Sequence, residues 1–134
     1  MDKFLLTFGF VLYGIVVPWL EINDTHVFNP EWVAHARLHE VWQLLTNSLL
    51  GVFAMWRLWG SNNDRYLPSV IALLITGGFL VAYMIQGSYG GSMVHPDGSE
   101  KTLFGINVGV IGFGFVFCTS IYTMSKAHKQ QGAM

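Results

Sequence analysis

Residues 67–86 read LPSVIALLITGGFLVAYMIQ, a run without a single charge. A helix of that length reaches about 30 Å, the thickness of a bilayer's hydrocarbon core. Three further uncharged, strongly apolar stretches lie at 4–20, 41–56 and 103–125. Charged residues make up 11% of the chain and hydrophobic ones 52%, whereas a soluble domain carries ~25% charge. The expected fold is therefore all-α: one transmembrane domain over residues 1–134, an integral membrane four-helix bundle. Its helices are expected at about 4–20, 30–58, 67–87 and 103–125, with outer segments 21–29 and 88–102.

An even number of spans puts both termini on one side of a multi-pass protein. That side would carry Lys3, Arg57, Arg65, Lys126 and Lys129, and the other only Arg37 and Lys101. The bias of basic residues toward the cytoplasm places the termini there. No small-x-small cleavage site follows residues 4–20, so this stretch is expected to stay as a helix. The net charge of −1 and the absence of a long basic run argue against a nucleic-acid partner. A single cysteine, Cys118, allows no intrachain disulfide and no thiolate cluster.

Asn29-Pro30-Glu31 offers an N-cap, a proline at the first helical position and an acid in the first turn. The second helix is accordingly expected to begin at Pro30 and to run ~43 Å. On the fourth, the Gly105-x-x-x-Gly109 spacing allows another helix to approach closely, inside the molecule or from another subunit.

Almost every residue able to do acid–base chemistry lies in the two outer segments or beside them. On the second helix His35, His39, Glu40, Gln43, Thr46 and Asn47 fall within an arc of about 140°. Such a stripe needs protein or a water-filled cavity in front of it, because lipid leaves its donors and acceptors unpaired. Tyr83, Gln86 and Asn107 lie at matching depth on other helices, so a polar-lined pocket is expected in the outer half. His39, Glu40 and His35 are its candidate catalytic residues, since imidazole and a desolvated carboxyl exchange protons near neutral pH. Gln43, Asn47, Tyr83, Gln86 and Asn107 are the candidate ligand-binding residues.

A second reading is metal or haem binding. His35 and His39 stand one helical turn apart, and His26 and His95 lie on the same side to complete a transition-metal or haem site. A third is an accessory subunit of a larger membrane complex.

Residues 25–39, THVFNPEWVAHARLH, resemble a signature of small four-span membrane proteins from bacteria and fungi that carries no established activity with it. The resemblance implies that His26, Asn29, Pro30, Trp32, His35 and His39 form one structural unit at the mouth of the bundle. The leading expectation is a protein that binds a membrane lipid or another small, largely apolar molecule, as an isomerase would.

Overall fold

The computed structural model describes residues 1–61, 63–95 and 98–131. Four long helices dominate it: Asp2–Glu21, Ala34–Trp59, Tyr66–Ile85 with a 3₁₀ turn at Gln86–Ser88, and Val108–Gln131. Three of them, Asp2–Glu21, Tyr66–Ser88 and Val108–Gln130, are long and apolar enough to cross a membrane. The second helix is the exception in composition. Its histidines and amides lower its hydropathy, although its 26 residues give it a length of about 39 Å.

The second helix nevertheless runs antiparallel beside the first. At one end Trp59 Nε1 donates to Thr7 Oγ1 at 3.0 Å and its ring meets Phe4 edge-on at 6.0 Å. Midway, Ser48 Oγ lies 2.9 Å from the Gly14 carbonyl oxygen. At the other end the last turn of the first helix, Val17–Glu21, packs against the second. The third and fourth helices share the most extensive contact, sealed by a buried 2.8 Å hydrogen bond between the Ser69 and Thr123 hydroxyls. Side chains from all four helices meet in one core, among them Phe10, Tyr13, Leu58, Ala72 and Val116. Gly9 brings the first and fourth helices together, since a Cβ there would stand 2.8 Å from Val116 Cγ1.

Proline shapes the first helix. Pro18 has no N–H to offer the carbonyl of Gly14 four residues earlier, and a π-helical turn at Leu12–Val16 precedes it. Ser48 supplies a donor to that carbonyl from outside the helix.

Lys3, Arg57, Arg65 and Lys126 collect at one end. Asp2 is buried and contacts Lys126 Nζ at 2.9 Å and Arg65 Nη1 at 3.4 Å. Beside it Arg57 holds Asp64 at 2.8 Å, and Lys3 lies over the Trp59 ring. The start of the first and third helices and the end of the second and fourth are thus tied together.

Several helix ends differ from the expected ones. The second helix begins at Ala34, not Pro30, because the Asn29 side chain forms a turn of its own. Its Oδ1 accepts the Glu31 amide at 2.9 Å, its carbonyl accepts the Trp32 amide, and Val33 is extended. The fourth helix begins at Val108, because residues 102–107 form a hairpin that pairs Thr102 with Asn107 and Leu103 with Ile106. Phe104 (φ 52°) and Gly105 (φ 77°) make its two-residue turn, the pattern of type I′. Gly105 therefore lies outside the helix, and its spacing to Gly109 is not a helical one. The first helix starts at Asp2 and the fourth continues to Gln131, longer than the apolar stretches alone suggest.

Candidate functional site

The first helix ends in Glu21, and the loop that follows turns back on it. Asn23 is its hub. Its side-chain nitrogen donates to the Leu20 carbonyl, and its Oδ1 accepts the amides of Thr25 and His26 and stands 2.7 Å from Thr25 Oγ1. The turn directs His26 back toward the helix end, where Nε2 lies 2.9 Å from Glu21 Oε2. On the other side of the ring Nδ1 lies 2.8 Å from Thr25 Oγ1. Both side chains of the His26–Glu21 pair are about three-quarters covered.

Two neighbours hold the His26 ring in place. Trp32 meets it edge-to-face at 5.7 Å, and His95 from the second outer segment does the same at 5.7 Å. Asn29 is buried beneath, its Nδ2 donating to the Thr25 carbonyl at 3.1 Å. Burial holds the His26 imidazole below the ordinary histidine range; the Glu40 charge pulls it upward and the His95 charge downward. Lost hydration destabilises the charged form of the ring.

Counting protons shows what this arrangement can do. Thr25 has one hydroxyl proton for two acceptors, Asn23 Oδ1 and His26 Nδ1. When it points to Nδ1, the imidazole carries its proton on Nε2 and donates to the Glu21 carboxylate. When it points to Asn23 and the pair has taken up one further proton, Nδ1 carries a proton and donates to Thr25. The Nε2–Oε2 contact then holds one proton that either partner can own. Glu21 and His26 can therefore exchange a proton at almost no cost in geometry.

His35 and His39 form a separate pair. Their Nε2 atoms lie 3.0 Å apart, their ring centroids 4.5 Å apart, and both rings are exposed, with Trp42 tilted against His39 at 5.7 Å. One nitrogen donates and the other accepts, so the pair is satisfied with both rings neutral. This separates His39 from Glu40, the expected partner, because Glu40 lies half-buried on the other edge of the helix. The four histidines of the metal reading thus fall into two pairs, His26 with His95 and His35 with His39. Among the described residues no group of three or more His, Cys, Asp or Glu is placed to hold a metal ion.

The polar stripe does not face inward as expected. Gln43 and Thr46 are exposed, Asn47 is half-buried, and with His39 and Trp42 they line an open groove of about 310 Å³ on the outer side of the second helix. The buried line of that helix runs instead through Leu44, Gly51, Ala54 and Leu58. Tyr83 and Gln86 are half-buried on the third helix. Asn107 is buried and serves structure: its Oδ1 accepts the Gly109 amide at 2.8 Å and its Nδ2 donates to Glu100 at 3.1 Å.

The contact of Glu21 with His26, and the turn that Asn23 and Thr25 build for it, were not among the expectations from the sequence. The signal was present, since Asn and Thr two apart after a helix end are turn formers that bind local backbone. No protein-family model matches the chain, and no curated protein or solved structure matches it significantly.

Proposed function

We propose that this chain is a four-span integral membrane protein with cytoplasmic termini. At its outer end it binds a small, largely apolar molecule and moves a proton on it, as an isomerase does. The antiparallel course of the second helix beside the first supports the fourth span. The gathering of Lys3, Arg57, Arg65 and Lys126 at the end that holds the N-terminus supports the orientation.

The observation that carries the functional reading is the 2.9 Å contact between His26 and Glu21 in partly dehydrated surroundings. A ground-state imidazole held neutral by burial is ready to accept a proton, and a carboxyl beside it is ready to supply one. Glu40 and His95 face the same point and set its charge. The proton-transfer role passes from His39 and His35 to His26 and Glu21, with Glu40 retained beside them.

The test is chemical extraction of the protein purified in mild detergent, followed by mass spectrometry of whatever remains bound. The wild type should retain one apolar species near stoichiometry, and His26→Ala and Glu21→Gln should lose most of it. Equal retention by all three proteins, or none by the wild type, would count against the reading.

A further inference from the structure

We infer that His35 and His39 form a two-nitrogen chelate for copper(II) in the first two turns of the second helix. Their Nε2 atoms stand 3.0 Å apart and their ring centroids 4.5 Å apart. A first-row divalent ion bonds imidazole nitrogen at ~2.0–2.1 Å. At that length two nitrogens are ~2.9 Å apart across a right angle and ~3.3 Å apart across a tetrahedral one. The centroids of two rings aimed at one ion across a right angle would stand about 4.5 Å apart. Both distances in the pair match the right-angled case, the geometry of copper(II) rather than of zinc. Copper(II) is also the divalent first-row ion that nitrogen donors hold most tightly.

The helix fixes this arrangement. Positions four apart share one face a turn apart, and the helix starts at Ala34, one residue before His35. Both rings are exposed, so an ion reaches them without a change in the bundle. Arg37, between them in sequence, lies about 200° round the helix from His35, and its charge is turned away from an incoming cation. Without an ion, one ring donates from Nε2 and the other accepts. Binding asks the donor ring only to carry its proton on Nδ1 instead, which frees both Nε2 lone pairs with no net loss of a proton. His26 is spoken for, since its two nitrogens face Glu21 Oε2 and Thr25 Oγ1. The remaining positions on the ion go to water or to a small donor from outside. The inference is independent of the proton-transfer site.

Titration of the untagged protein with copper(II) in mild detergent tests it, followed by calorimetry and electron paramagnetic resonance. The wild type should bind one equivalent and show nitrogen couplings from two imidazoles. His35→Gln and His39→Gln should each weaken that binding roughly a hundredfold, because a chelate owes its affinity to the second arm. Both substitutions lie at exposed positions, and an unchanged circular dichroism spectrum shows that the variants are folded. His26→Gln should bind as the wild type does. Copper(II) binding that survives in His35→Gln and His39→Gln, that is lost in His26→Gln, or that the wild type lacks would overturn the inference.

Discussion

Ser48 stands 2.9 Å from the carbonyl oxygen of Gly14, the acceptor to which Pro18 can offer no backbone donor. The same hydroxyl lies 3.0 Å from the Leu44 carbonyl of its own helix, so its single proton is shared between a local and a long-range acceptor. Ser48→Ala should therefore destabilise the protein by about 1 kcal/mol, read as a lower midpoint of thermal unfolding in detergent. Pro18→Ala restores an N–H to the first helix and should make Ser48→Ala less damaging. A double-mutant cycle with no coupling between the two positions would refute the link.

At the opposite end of the molecule from the proposed site, Asp2 joins three helices through Lys126 and Arg65. Asp2→Asn should lower the unfolding midpoint, and the difference from wild type should shrink as salt is added, because Lys126 and Arg65 are partly open to solvent. A difference that salt leaves unchanged would point to packing rather than charge.

The hairpin before the fourth helix contains a bulky residue in the left-handed region, Phe104 at φ 52°, almost wholly exposed. Asparagine occupies that position of a type I′ turn at less cost. Phe104→Asn should stabilise the hairpin by roughly 0.5–1 kcal/mol, seen as slower hydrogen exchange at Leu103 and Ile106. Gly105→Ala, at φ 77°, should have the opposite effect. Faster exchange in Phe104→Asn would show that Phe104 is held by something other than the turn.

Stability should depend on pH through His26. Its imidazole is depressed in the fold, so its contribution is complete above the unfolded value of 6.5 and is lost as pH falls through its folded value. His26→Gln should consequently lose less of its unfolding midpoint than wild type as pH falls from about 7. An equal fall in both proteins would mean that other groups carry the pH dependence.

Hydropathy made three helices legible from the sequence, because a run such as 67–86 has no other stable home than an apolar medium. The second helix was legible from its uncharged stretch at 41–56, although His35, Arg37, His39 and Glu40 before it lower its hydropathy. Helix starts misled where a side chain had two uses. Asn29 serves as a turn residue rather than an N-cap, and Asn107 caps a helix that begins five residues after the apolar stretch at 103. The site was half legible. Spacing on one helix exposed the His35–His39 pair, but the His26–Glu21 contact depends on a loop returning to a helix end. Periodicity carries no information about such a return. Which face of the second helix meets its neighbours was equally hidden, because Leu44, Gly51, Ala54 and Leu58 compete with an equally apolar set at Leu45, Leu49 and Val52.

The proposed site requires the second helix to cross the membrane and carry Glu21, His26, Glu40 and His95 to the face away from the termini. Single cysteines in a Cys118→Ser background, probed with a membrane-impermeant maleimide on intact spheroplasts, measure this directly. Asp24→Cys should label at once, and Ser61→Cys only after the membrane is opened. Labelling of both from the outside, or of Asp24→Cys only after lysis, would contradict the account.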